Sequence, residues 1–341
     1  MYLLVLSVIV ALATILGAGF YTRRRLRICA PGQPLSVNYH FTRQCNYGCG
    51  FCFHTAKTSH RETIENAKRG LRLLHAHGTR KINFSGGEPF LEPRFLGELC
   101  RFCKVELDME SVSIVSNGSK ITDLWMSQFG QFVDILAVSC DSFREETNRR
   151  IGRGTERGTV PHASRMSSIA AMCRTHGIIF KVNSVINAHN WTEDMNAEIL
   201  ALAPKRWKVL QVLMVDGENI NAGTRAKDAS AMCISDAQFR AFVERHAPCH
   251  AILVPEDNQH MRTSYLILDE YMRFLDCSSG GKIPSRSILD VGVEEALKAS
   301  GFNEQMFFAR GGLYNWSRRP RQQTCSSDQT RVDDIEDMVL A

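Results

Sequence analysis

Between Leu35 and Leu213, short apolar runs rich in β-branched residues alternate with longer amphipathic ones. The runs Val37–Phe41, Ile82–Phe84, Val112–Val115, Ile135–Val138, Phe180–Val185 and Val209–Leu213 predict strands. The intervening Glu62–His77, Phe95–Val105 and Ala163–His176 predict helices. Strands alternating with helices imply parallel strands joined by right-handed crossovers. The pattern therefore predicts an α/β fold, a partial (β/α)6 TIM-like barrel, with ligands at the carboxy-terminal strand ends.

The amino-terminal pattern is different. Met1 to Thr22 carries no charged side chain, and Arg23, Arg24, Arg25 and Arg27 follow at once. At about 1.5 Å rise per residue such a helix just crosses a bilayer core of about 30 Å. Cations after the apolar run disfavour a cleaved signal peptide and hold the rest of the chain on the cytosolic side. A helix lying in the interface is the competing reading, but it needs a strongly polar face. The division expected is a membrane anchor over 1–22, a basic linker over 23–34, a catalytic domain over 35–300, an extension over 301–318 and a disordered tail over 319–341.

Composition narrows the function class. Charged residues are 23% and apolar ones 44%, a globular balance. The net charge of +5 includes the arginines beside the anchor, so it argues against a general nucleic-acid binder and suits a small anionic ligand. Of twelve cysteines, only Cys45, Cys49 and Cys52 are tightly clustered; the others read as buried small apolar residues.

The C-x3-C-x2-C spacing suits three corners of an iron–sulfur cube with one iron left open. Structural zinc sites take four ligands in separated pairs, and ferredoxin runs supply four cysteines. Ile82-Asn83-Phe84-Ser85-Gly86-Gly87-Glu88-Pro89 then reads as a strand ending in a glycine pair. The pair lets backbone approach a ligand, and the Glu88 carboxylate offers an acceptor for an ammonium group. Taken with the cysteine triplet, this constellation resembles the radical S-adenosylmethionine superfamily. It implies a 4Fe-4S cluster on Cys45, Cys49 and Cys52, with S-adenosylmethionine positioned by Gly86, Gly87 and Glu88.

Other strand ends carry candidates. Ser116 and Asn117 end the third strand, and Ser139 and Asp141 the fourth; they suit the cofactor's ribose or methionine moiety, or are ordinary turn chemistry. Lys181 and Asn183 alternate onto one strand face, and Arg206 and Lys208 repeat the phase. Arg153 adds a cation between two glycines. These residues read as a polyphosphate clamp or as solvated surface.

Longer stretches, Ser36–Arg43, Cys52–Thr58, Lys81–Leu91, Val112–Ser119 and Ser264–Leu275, resemble the viperin family within that superfamily. The resemblance runs from about Leu35 to Trp316. It implies a nucleoside triphosphate substrate, CTP or UTP, dehydrated to the 3'-deoxy-3',4'-didehydro nucleotide in an antiviral role; the alternatives are a radical S-adenosylmethionine enzyme acting on another anionic metabolite and a membrane-bound interaction scaffold. It places Lys181, Arg206, Lys208 and Arg153 on the triphosphate, and Asn183 and the loop His54, Thr55, Ala56 and Lys57 near the nucleoside. Tyr265 becomes a candidate proton donor or acceptor, or else a packed aromatic. It also implies a flavodoxin-like or reductase electron donor, iron–sulfur delivery partners, and residence on the cytosolic face of the endoplasmic reticulum or on lipid droplets. Two departures stand out. Leu313 occupies the place of a lysine in the animal family, and the chain continues past Trp316 into a basic then acidic segment.

Overall fold

The computed structural model describes residues 33–154, 162–221 and 228–312. The apolar stretch 1–22, Leu313, Trp316 and the tail lie outside these residues. No described helix is long and apolar enough to cross a membrane.

All six predicted strands form. They are β1 (Ser36–Thr42), β2 (Lys81–Gly86), β3 (Ser111–Ser116), β4 (Ile135–Ser139), β5 (Ile179–Ile186) and β6 (Arg206–Gln211). They pair in parallel in sequence order. The parallel ladder extends beyond the six expected units. β7 (Leu253–Glu256) adds to β6, and the two-residue β8 (Ile267–Leu268) adds to the other side of β1. Both escape a periodicity reading because they are short and β7 carries Pro255, which suits only an edge strand. Antiparallel β9 (Arg273–Asp276) and β10 (Ile283–Ser287) complete a ten-stranded open sheet.

The alternation of side chains decides what lies on each face. Along β1, Val37, Tyr39 and Phe41 are fully buried on the outer, helix-covered face, while Asn38 and His40 point into the concave side. The helix Ile64–Ala76 begins where Thr63 accepts from the Asn66 N–H, a capping contact worth about 1 kcal/mol. It presses Ala67, Leu71 and Leu74, at helical spacing, into the core. The open side between β7 and β8 is filled by the helix Asn258–Ser264 and by the helix Glu304–Ala309, which packs on it. Side chains from both help to line the cavity inside the curve of the sheet.

Candidate active site

The cysteine loop leaves β1, and backbone contacts hold it from two directions. Gly48 N–H donates to Gly152 O (3.2 Å) and Gly50 N–H to Ile151 O (2.9 Å). On the other side, Gly87 N–H donates to Thr42 O (2.7 Å) and Glu88 N–H to Gln44 O (2.8 Å). Here glycine is obligatory. Gly86 has φ +125°, and a Cβ on Gly87 would sit 2.0 Å from Gln44 O. The pair therefore lets β2 close against the loop that carries the cysteines.

Glu88, expected to meet an ammonium group, has its carboxylate oxygens engaged by the protein itself. Its carboxylate is fully buried, accepting from Phe90 N–H (3.0 Å), Ser116 Oγ (2.8 Å) and Asn117 N–H (2.7 Å). Burial raises its pKa against the pull of these donors. The effect is to bolt the end of β3 to the end of β2. Asn117 then reaches the cysteine loop, with Nδ2 3.0 Å from Asn46 Oδ1 and 3.9 Å from Cys45 Sγ.

Arg153, expected on a triphosphate, likewise meets a partner within the protein. It is buried, with Nη2 2.5 Å from Asp141 Oδ2, and Asp141 also accepts from Val185 N–H (2.9 Å). Its charge lowers the pKa of Cys49 and Cys45, although burial is the larger effect on each thiol. Arg153 thus serves the cysteine loop, because the turn that carries it is the one hydrogen-bonded to Gly48 and Gly50. Neither Arg153 nor Asp141 lines the cavity, and Ser139, paired in register with Asn183, stays outside it too.

The cavity has a volume of about 260 Å³. Lys181, Asn183 and Lys208 line it together, while Val182 is buried on the opposite face, as the alternation requires. Arg206 is in register with Lys181 but does not line the cavity. Lys81 and Arg310 take part instead, and sequence reasoning missed both. Lys81 had a readable signal, since it shares the inward phase of Asn83 and Ser85. Burial pushes the Lys81 ammonium down to about 8. Burial, with Lys208 and Arg206 close by, pushes Lys181 well below the usual lysine range. Tyr265 also faces the cavity, its hydroxyl 2.6 Å from Lys208 Nζ.

The loop 54–57 backs the cavity rather than lining it. His54 Nδ1 lies 3.0 Å from Lys282 Nζ. Thr55 donates to Glu218 through N–H (3.1 Å) and Oγ1 (2.9 Å), and Lys57 lies 3.4 Å from Glu218. Ala56 is exposed. Phe51 and Phe53, on either side of Cys52, form that part of the wall.

Comparison with known proteins decides the family. Residues 39–203 match the radical SAM superfamily. The chain is 59% identical over 287 residues to the S-adenosylmethionine-dependent nucleotide dehydratase RSAD2 of Danio rerio, covering 84% of this chain and 79% of the fish protein. It is 32% identical over 295 residues to the S-adenosylmethionine-dependent nucleotide dehydratase of Flammeovirga pacifica, covering 82% of this chain and 96% of that one.

The chain belongs to the S-adenosylmethionine-dependent nucleotide dehydratases of the radical SAM superfamily.

Two solved structures share the fold of this family member at low identity. Native anSMEcpe with bound AdoMet superposes with a TM-score of 0.59 at 14% identity, covering 80% of this chain and 84% of that one. Streptococcus suis SuiB bound to S-adenosylmethionine gives 0.57 at 16% identity, covering 81% of this chain and 67% of that one.

The cofactors of the superfamily are a 4Fe-4S cluster and S-adenosylmethionine, and the donor set fits a cluster. Burial pushes the Cys45 thiol up to about 11 and the Cys49 thiol up to about 12, and Cys52 is raised in the same way. The three are close enough to raise one another's pKa. Thiolates so disfavoured in the free protein are stabilised by binding a cationic centre. Among the described residues, no three His, Cys, Asp or Glu side chains converge as on one metal ion.

Proposed function

We propose that this nucleotide dehydratase acts on a nucleoside triphosphate, CTP first and UTP second. The product is the 3'-deoxy-3',4'-didehydro nucleotide, made in an antiviral role. The observation that carries this reading is the cavity wall. Lys81, Lys181, Lys208 and Arg310 line one space with Asn183, on the concave side of the strands whose ends carry the cysteine loop and the glycine pair. Cations converging on one space favour an anionic ligand there.

Each group has a role in this reading. Cys45, Cys49 and Cys52 hold the cluster. Gly86 and Gly87, with Ser116 and Asn117 bolted beside them by Glu88, form the S-adenosylmethionine shelf. When bound, the cofactors would supply the radical chemistry for removing the ribose 4' hydrogen. The lysines and Arg310 hold the triphosphate, which fixes the ribose relative to that shelf. Holding the reacting atoms in place is the main contribution of the protein to such a reaction. Phe51, Val185, Leu210 and Ile267 line the same cavity and keep water from a reactive intermediate. Tyr265, which lines the same cavity, is the candidate proton donor or acceptor for loss of the 3' hydroxyl.

Anaerobically reconstituted protein, given reductant, S-adenosylmethionine and each of CTP, UTP, GTP and ATP, tests the proposal. The expected result is methionine, 5'-deoxyadenosine and a nucleotide lighter by one water with CTP. Production of 5'-deoxyadenosine with none of the four above background would overturn it.

The apolar 1–22 segment and its trailing arginines support attachment to the cytosolic face of the endoplasmic reticulum or to lipid droplets. Flotation of the full chain with vesicles, lost when residues 1–27 are removed, is the expected outcome. A flavodoxin-like or reductase electron donor and iron–sulfur delivery partners complete this reading.

A further inference from the structure

One buried carboxylate stands where an anion site should avoid one. Glu256 ends β7 and is 2% exposed. Its Oε1 lies 2.5 Å from Lys208 Nζ and 3.7 Å from Arg310 Nη1, and its Oε2 accepts from the Tyr265 hydroxyl. Tyr265 is held from other sides as well. Lys208 Nζ lies 2.6 Å from its oxygen, and the Arg310 guanidinium carbon lies 3.9 Å over its ring. Arg310 in turn donates through Nη2 to Ser264 O (3.1 Å). Lys208, Tyr265 and Arg310 line the cavity, whereas Glu256 sits behind them.

The carboxylate therefore has two opposed effects. Its negative charge weakens the pull of Lys208 and Arg310 on a phosphate, since like charges in a low-dielectric site repel strongly. Yet it contacts all three side chains, which come from β6, from the segment before β8 and from the end of the helix Glu304–Ala309. Arg310 and Lys208 are long and have many rotamers, and ordering them at the moment of binding would carry an entropic cost. Glu256 orders them beforehand, together with the Tyr265 hydroxyl.

We propose that Glu256 is a positioning residue, which fixes Lys208, Arg310 and Tyr265 in reacting geometry at the expense of ground-state affinity for the triphosphate. This proposal rests on the nucleotide dehydratase reading above, and it deepens that reading by naming what sets the geometry of the phosphate end.

The opposition of the two effects makes the test specific. In Glu256→Gln the shape is kept and the charge removed. Expected is a kcat lower by about tenfold or more, with nucleotide Kd unchanged or tighter, and with nucleotide-independent S-adenosylmethionine cleavage as in the wild type. A merely structural role predicts the reverse for binding, weaker Kd together with a lower melting temperature. Glu256→Asp, which keeps the charge on a shorter arm, should recover part of the kcat and should not tighten Kd. The proposal is overturned if Glu256→Gln weakens CTP binding measured calorimetrically, or if its kcat equals that of the wild type. Wild-type protein that binds CTP but releases no dehydrated product would instead count against the dehydratase reading, and that arm is run first.

Discussion

The two halves of the site treat polar groups in opposite ways. Around the cysteine loop each buried charge has an internal partner. Arg153 is paired with Asp141, Glu88 takes three donors from the ends of β2 and β3, and Asn117 is tied to Asn46. Along the cavity wall, cations are stacked beside cations, and burial together with mutual repulsion lowers the pKa values of Lys81 and Lys181. The first region is a finished scaffold, whose polar network is satisfied without a ligand. The second gathers Lys81, Lys181, Lys208 and Arg310 around a space bordered by the Glu256 carboxylate, an excess of positive charge that suits an anionic ligand. A site that must hold a cofactor rigidly and accept a substrate repeatedly needs both arrangements.

Several changes would break or sharpen this contrast. The largest effect belongs to the Cys45, Cys49 and Cys52 triple alanine variant. It should form no 5'-deoxyadenosine yet retain CTP affinity by calorimetry, because the cysteines lie in the scaffold half. Lys181→Met comes next. It should raise nucleotide Kd by roughly a hundredfold, since a buried charge-assisted contact contributes about 1.5–3 kcal/mol. The same variant should melt at or above the wild-type temperature, because burial disfavours the Lys181 ammonium.

Arg153→Met divides the regions in the other sense. Leaving Asp141 buried without its partner should cost about 3–5 kcal/mol of stability, with little change in CTP affinity for the fraction that folds. Loss of triphosphate binding in folded Arg153→Met protein would return Arg153 to the phosphate site and erase the contrast. Glu88→Gln should cost less, about 1–3 kcal/mol for donors left poorly matched.

The smallest effect is a pH dependence. Lys81 titrates near 8 in the folded protein and higher when unfolded. The unfolded chain therefore binds more protons between those values, and the contribution of Lys81 to stability rises with pH through that window. Triphosphate binding has the opposite sign. It requires the protonated lysine, so affinity should fall as pH passes 8 and binding there should take up a proton. Calorimetry in buffers of differing ionisation enthalpy reads this directly, and Lys81→Met should remove it.

Local pattern made much of this readable. The inward phase of Lys181, Asn183 and Lys208 follows from strand alternation alone, and the cysteine spacing and the glycine pair are contiguous in sequence. What escaped depends on partners far along the chain. Glu88 looks like a ligand until Ser116 and Asn117 are seen to use its oxygens. Arg153 looks like a phosphate contact until Asp141 is found beside it. Glu256 and Arg310 carry no local signal, because their meaning lies in meeting Lys208 and Tyr265 from separate segments. Short β7 and β8 were missed for a related reason: their pairing, rather than their own residues, makes them strands.

The central proposal is that a nucleotide held by the lysine wall would lose its ribose 4' hydrogen to the radical that the bound cofactors would supply. Turnover of CTP carrying deuterium at the 4' carbon tests this most directly. The account predicts 5'-deoxyadenosine bearing one deuterium, formed in step with the dehydrated nucleotide. Unlabelled 5'-deoxyadenosine beside that same product would contradict it.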